Sequence, residues 1–344
     1  MAAHAKRIDF IAAEYSRVSA RAFVVAVNRA YYSRAAAEYD NTHPDINHDA
    51  VRAWNRIIPV LSSSSVREAG PYTVVDIGSG TGFVASRLLG ANISFTACRG
   101  LEPSDHMREI AARKISDQRV SFHPFDIMQP GALSAAVSSI SGPKIITLNS
   151  VLHHIVWWED FLHETSNVLA TGDLLILCHE PNNRFWGNLV LTGVFEKITA
   201  TLREKRRMLL FLNPLSYVRK LRRLLFPADG KQPAPRDYIN RELNEDNVLK
   251  KDLPAPLIPA LIDYGVPPCW RGIPIDASMD EGFFDGESIR ERFFADTKKL
   301  LFFTYQHLAI SPELLTWAWK SREKEFSREY PLDGAQFCIV LQKE

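Results

Sequence analysis

The residues best suited to chemistry in this 344-residue chain open a glycine turn, Asp76-Ile77-Gly78-Ser79-Gly80-Thr81-Gly82, directly after the apolar pair Val74-Val75. Glycine lacks a Cβ, so a turn of this kind brings backbone amides close to a ligand where side chains would collide. A dinucleotide-binding turn would place a further glycine three residues after Gly80, where Phe83 stands, and the lysine and hydroxyl of a phosphate-binding P-loop are missing. Further along, Glu102, Asp126, Asn149, the pair His153-His154 and the pair His179-Glu180 each follow an apolar run. Those are polar groups at the ends of strands, where open α/β sheets bind their ligands.

The elements that must position them alternate. Apolar runs at 73–77, 93–102, 120–127, 144–152 and 173–180 read as strands, and the stretches between them have helical spacing. This order predicts a parallel sheet with helices on both faces, and near-continuous Val/Ile/Leu runs suit strands buried on both sides. Residues 5–61 read as helical, with a loop at Asp40–Asn47 marked by Pro44 and neighbouring Asp and Asn residues. The alternation stops at Pro181 and resumes with strand-like 300–309, helix-like 312–326 and strand-like 335–344. The expected organisation is an N-terminal helical cap (1–65), a core (66–180), a lid or substrate insertion (181–298) and a C-terminal completion of the sheet (299–344).

Asp76-x-Gly78-x-Gly80-x-Gly82 after a strand resembles the first motif of class I S-adenosylmethionine-dependent methyltransferases. The resemblance covers Tyr72–Glu180, extends to Leu300–Glu344, and leaves out the insertion and the N-terminus. It implies a doubly wound, Rossmann-like α/β fold with a seven-stranded sheet, N-terminal helices and a long, mostly helical insertion after the fifth strand. It also implies S-adenosylmethionine as cofactor, with S-adenosylhomocysteine as product. By the same resemblance, Asp76, Gly78, Ser79, Gly80 and Gly82 form the cofactor turn. Glu102, followed by Pro103, ends the second strand and accepts both ribose hydroxyls, as an acceptor-only carboxylate can. Asp126 takes the adenine amino group with Ile127 against the ring, and Asn149 approaches the methionine moiety. Tyr32 belongs to an N-terminal helix that folds over the cofactor in many relatives; Tyr32 and Tyr39, seven residues apart, share a helical face.

A sulfonium leaves as a neutral thioether, so the protein's main task is orienting a nucleophile, with a base needed only for an acceptor that arrives protonated. Imidazole titrates near neutral pH, which makes His154 the first candidate base and His153 the second. Glu180 is a candidate for binding or deprotonating a cationic acceptor. The expected activity is methyl transfer (EC 2.1.1) to nitrogen or oxygen of a small organic acceptor, of the kind met in secondary metabolism.

Composition sets limits. A formal net charge of +1 gives no global attraction to nucleic acid or anionic membrane. Hydrophobic residues make up 46% and charged residues 24%, ordinary for a globular chain that buries a core. Cys98, Cys178, Cys269 and Cys338 form no CxxC pair, and no oxygen-rich Asp/Asn cluster of the metal-dependent O-methyltransferases is recognisable, so no metal is expected. The N-terminus has no signal-like apolar run and no stretch approaches a membrane span, so the expected compartment is the cytoplasm. Two other readings stay open. The basic stretch with Arg203, Lys205, Arg206, Arg207, Arg219, Lys220, Arg222 and Arg223 would serve an RNA-modifying enzyme. The base-methylating Asn/Asp-Pro-Pro-aromatic motif is replaced here by Asn149-Ser150-Val151-Leu152, which disfavours that branch. The other is a non-catalytic cofactor-binding scaffold. Segment 279–288, with acids beside phenylalanines, reads as a surface loop or as a lid element for a cationic amine.

Overall fold

The computed structural model describes residues 2–36, 39–42, 46–212, 235–262, 284–311 and 315–344. The apolar runs form one seven-stranded sheet: β1 (Tyr72–Ile77), β2 (Phe95–Leu101), β3 (Val120–His123), β4 (Lys144–Asn149), β5 (Leu174–Pro181), β6 (Thr297–Tyr305) and β7 (Gln336–Lys343). Their spatial order is β3-β2-β1-β4-β5-β7-β6. Burial follows position. Every residue of β1 and β5 is buried, whereas edge strand β3 alternates between half-buried and exposed.

Strands β1 to β5 pair in parallel, as their strand–helix alternation requires. The sheet is not parallel throughout: β7 lies antiparallel between β5 and β6. A strand buried on both faces has the same apolar pattern in either direction, so the run 335–344 carries no sign of its reversal. The reversal is made possible by where the β6–β7 connection packs. Its helix Trp317–Glu329 joins a small separate cluster with Phe185, Leu191 and Leu308, so no crossover over a covered sheet face is needed.

Alternate β1 residues feed two cores. Val75 and Ile77 face the N-terminal helices α1 (Ala2–Tyr15) and α2 (Ala20–Ala35); Tyr72 and Val74 face the helix Val51–Leu61, which buries Trp54 and Ile57. Helix α2 starts at Ser19, whose hydroxyl accepts from the Ala22 amide at 3.3 Å. Where a loop is expected at Asp40–Asn47, the described residues instead make a helical turn, Tyr39–Thr42, and a π-helical turn, Ile46–Ala50. The first is tied down by Asp40, which accepts from the Thr81 hydroxyl at 2.7 Å and from Lys114 at 2.9 Å.

The insertion after β5 is helical in its described parts, with Leu189–Leu212, Pro235–Glu245, Leu257–Ile262 and Gly286–Phe293. Ile239, Leu243, Leu253, Ile258 and Leu261 enter the same core as Phe23 and Val27 of α2. Backbone bonds add to this: Arg17 N–H donates to Val248 and Lys250 N–H to Tyr15, both at 2.8 Å. The described parts of the insertion and the N-terminal helices therefore share one apolar core with a single face of the sheet. Arg219, Lys220, Arg222, Arg223, Cys269 and residues 279–283 lie outside the described residues, as do the side chains of Arg203, Lys205, Arg206 and Arg207. Cys98, Cys178 and Cys338 are buried thiols. Among the described residues no helix is long and apolar enough to cross a membrane.

Candidate active site

Strand order reverses direction between β1 and β4, and a cleft opens at their C-terminal ends, where such folds bind ligands. Its empty volume, mouth included, is about 740 Å3. The floor is the glycine turn. Gly78, Gly80 and Gly82 all have positive φ (+63°, +51° and +84°), yet they do different work. A Cβ on Gly78 would sit 2.5 Å from Val151 Cγ2, and one on Gly82 would sit 2.7 Å from Ile115 Cδ1. Both glycines therefore serve close packing, although Gly78 also lines the cleft. A Cβ on Gly80 would meet nothing within 4 Å, so there the bare backbone faces open space. Ser79 is buried, its hydroxyl 2.8 Å from the position a Cβ on Gly100 would take.

Two acids underpin this turn. Glu102 reaches across from the end of β2 and accepts from Gly80 N–H at 3.1 Å and Ser104 N–H at 2.9 Å, with its carboxylate on the cleft wall beside Pro103. Asp76 lies beneath, opposite Thr147 in the β1–β4 register, and accepts from its hydroxyl at 2.6 Å. Its second oxygen is buried with no partner among the described residues. Burial pushes both carboxyls up, each to about 7; the charge of Glu102 adds to the effect on Asp76, while amide bonds partly counter it at Glu102.

One wall carries a relay. His154 Nδ1 lies 2.8 Å from the carbonyl of Ile262, which can only accept, so Nδ1 holds the proton. Nε2 then accepts from the Tyr32 phenol at 3.0 Å. Tyr32, Tyr39 and His154 all line the cleft, and the Tyr32 and Tyr39 rings meet edge to face with centroids 6.1 Å apart.

Other sequence-selected residues fall elsewhere. Glu180 is fully buried behind the loop after β4. One oxygen accepts from Val151 N–H (2.7 Å) and Leu152 N–H (2.9 Å); the other accepts from His153 N–H (3.2 Å) and His153 Nδ1 (2.8 Å). Engaged by four donors, Glu180 holds this loop instead of facing an acceptor, and His153 is turned toward it, away from the cleft wall. The Asn149 side chain accepts from the Trp54 indole at 2.9 Å, and its neighbours Ser150 and Val151 line the cleft in its place. Asp126 is exposed, its carboxylate accepting from Met128 N–H at 3.0 Å; Ile127 lines the cleft with Phe125 and Met128.

Sequence reasoning passed over Asn28 in α2. Its amide donates to the carbonyls of Val24 at 3.0 Å and Leu261 at 3.1 Å, its oxygen is buried without a hydrogen-bond partner among the described residues, and the residue lines the cleft. The available signal was the spacing Val25, Asn28, Tyr32, which sets all three on one face of a helix.

A family model described as a methyltransferase domain matches residues 34–229, more than half of the chain. The chain belongs to this methyltransferase family. Its cofactor is S-adenosylmethionine, and the bare Gly80 backbone beside a buried carboxylate fits a ligand bearing both a sugar and a cation. Among solved structures, a SAM-dependent methyltransferase from Anabaena variabilis is 14% identical, with 96% of this chain and 98% of that one covered and a TM-score of 0.47. The Haloferax volcanii complex of a methyltransferase with the Trm112 activator is 14% identical over 90% and 96% of the two chains, TM-score 0.45. The DhpI complex with S-adenosylhomocysteine is 20% identical over 47% and 72%, TM-score 0.36. No curated protein matches the sequence.

Proposed function

We propose that this methyltransferase transfers the methyl group to a protonated nitrogen or oxygen of a small organic acceptor. The observation that carries this reading is the Tyr32–His154–Ile262 chain on the wall of the same cleft that the glycine turn floors. Gly80 and Glu102 would hold the cofactor, Glu102 as the acceptor for its ribose hydroxyls and Ile127 as an apolar surface for its base. The cofactor supplies a methyl on a positively charged sulfur that departs as a neutral thioether, so no acid is required. The acceptor's own proton is the one to be moved. As the new bond to methyl forms, that proton passes to the Tyr32 oxygen and the Tyr32 proton to His154 Nε2, giving an imidazolium whose Nδ1–H stays on the Ile262 carbonyl. Glu180 and His153 act indirectly, by fixing the loop that carries His154. Leu261 and Ile262 of the insertion support the cleft wall from behind, through Asn28 and His154.

Incubation with methyl-labelled cofactor, a mixed pool of small amines and phenols, and bulk RNA tests the assignment. Label is expected in the small-molecule fraction; label confined to RNA, or none transferred, contradicts it. With the acceptor so found, Tyr32→Phe removes the first proton carrier. Its kcat should fall about 100-fold, the lower range for lost acid–base catalysis, with cofactor affinity nearly unchanged. A wild-type kcat in Tyr32→Phe rules out the relay.

The raised carboxyls predict a pH dependence. An acid whose folded pKa exceeds its unfolded value favours the fold below the unfolded pKa, and that contribution is lost as pH rises through the folded pKa. The cofactor-free protein should therefore lose stability between the ordinary carboxylate range and about 7. A cationic, hydroxyl-bearing ligand prefers the ionised carboxylates. S-adenosylmethionine affinity should rise about tenfold per pH unit below 7, for one coupled proton, and level off above it. Calorimetry at pH 6 in buffers of different ionisation heat should detect release of about one proton. An affinity constant across pH 5.5–8 contradicts this assignment.

A further inference from the structure

The polar atoms of the cleft wall are matched in kind. Glu102 only accepts, and Tyr32, with its proton committed to His154, offers its oxygen as an acceptor. Asn28 is the third. Its side-chain nitrogen faces two carbonyls, Val24 on its own helix and Leu261 on the insertion helix Leu257–Ile262, so the amide cannot be turned around. The amide is thereby fixed, with its oxygen left to find a donor elsewhere. Asn28 is 8% exposed and lines the cleft, and its Oδ1 is buried without a hydrogen-bond partner among the described residues. Buried acceptors are rarely left in that condition, so the vacant acceptor marks a place for a ligand's donor.

The insertion imposes this arrangement from behind. Consecutive carbonyls at the end of one short helix, Leu261 and Ile262, hold the Asn28 amide and the His154 imidazole. This fixes the donor side of each group, leaving Nε2 of His154 to the Tyr32 phenol and Oδ1 of Asn28 unpartnered among the described residues. Among the described residues the cleft wall carries no Lys or Arg, so nothing there would receive a carboxylate or phosphate. Its remaining surface is apolar, with Val25, Phe125, Met107 and Ile155. Glu102 is the one carboxylate among the described lining residues, beside the glycine turn, whereas the neutral Asn28 amide belongs to α2 and is held from behind by the Leu261 carbonyl of the insertion.

We propose that Asn28 Oδ1 recognises the methyl acceptor by taking a hydrogen bond from an uncharged N–H or O–H donor on it, which selects apolar amines and hydroxyl compounds over acids. This rests on the methyltransferase reading of the cleft. A compound that has already lost its donors to methylation forfeits the bond, so the same atom discriminates against fully methylated product.

The test uses protein saturated with S-adenosylhomocysteine and two matched pairs of probes, phenol with anisole and aniline with N,N-dimethylaniline, titrated by ligand-detected NMR. Wild-type protein is expected to bind the donor-bearing member about tenfold more tightly, the usual scale for one buried hydrogen bond. Asn28→Leu, close in shape but without the acceptor, should bring each pair to within about twofold while the nucleoside binds as in wild type. Asn28→Ala, smaller and free of any clash, provides the same comparison should the leucine variant fail to fold. No preference in wild-type protein, no binding of either member, or a preference that survives both substitutions overturns the proposal. Loss of nucleoside affinity in the variants with the probe preference intact would assign Asn28 to the cofactor and overturn it too. Failure of wild-type protein to bind S-adenosylhomocysteine is a separate result: it removes the methyltransferase cleft, and this inference with it.

Discussion

Gly80→Arg should abolish detectable S-adenosylmethionine binding, a loss of more than about 100-fold, while leaving the protein folded. The Cβ position of Gly80 is open, so the substitution displaces no neighbour, and the left-handed backbone (φ +51°) costs about 1–2 kcal/mol for a residue other than glycine. The long cationic side chain then enters the space over the turn, where both its bulk and its charge oppose a sulfonium. Gly78→Ala is the instructive contrast. Its methyl would fall 2.5 Å from Val151 Cγ2 at φ +63°, so that variant should lose stability and binding together. Calorimetry paired with thermal melting separates the two. Wild-type affinity in Gly80→Arg would mean that the cofactor does not lie against this turn.

The second large effect is on the fold. Glu180→Ala removes the acceptors of three backbone amides and the His153 imidazole in a fully buried site. Stranding buried donors of this kind typically costs about 3–5 kcal/mol in total. At about 2–4 °C per kcal/mol for a chain of this size class, Tm should fall by roughly 6–20 °C. A change below about 2 °C would show that water replaces the carboxylate readily and that Glu180 does not hold the loop after β4. Because that loop carries His154, the variant should also lose turnover at temperatures where it remains folded.

The sheet was largely legible in the sequence because a strand buried on both faces needs a near-continuous apolar run, and Val74-Val75, Ile145-Ile146 and Leu174–Cys178 supply the cores of such runs. Direction was not legible. The run 335–344 would read the same parallel or antiparallel, and only the packing of the β6–β7 connection decides it. The glycine turn was legible as a unit, but the separate duties of Gly78, Gly80 and Gly82 depend on Val151 and Ile115, which are distant in sequence. A glutamate at a strand end suits a ligand contact and a loop clamp equally well. What makes Glu180 a clamp is the fold of a loop 27 residues earlier. Asn149 ends β4, Asp126 lies three residues beyond the end of β3, and their side chains are taken by Trp54 and by the local turn. Asn28 escaped notice because one asparagine among Val24, Val25, Ala26 and Val27 reads as a polar interruption; its meaning comes from the Leu261 carbonyl behind it.

The most direct test of the account is a crystal structure of the protein with S-adenosylhomocysteine bound. The ribose hydroxyls should lie within hydrogen-bond distance of Glu102, the amino-acid tail against the Gly80 backbone, and the sulfur directed toward the side of the cleft where Tyr32 and His154 stand. A nucleoside seated elsewhere on the sheet, or in this cleft with its sulfur facing away from Tyr32, would contradict it.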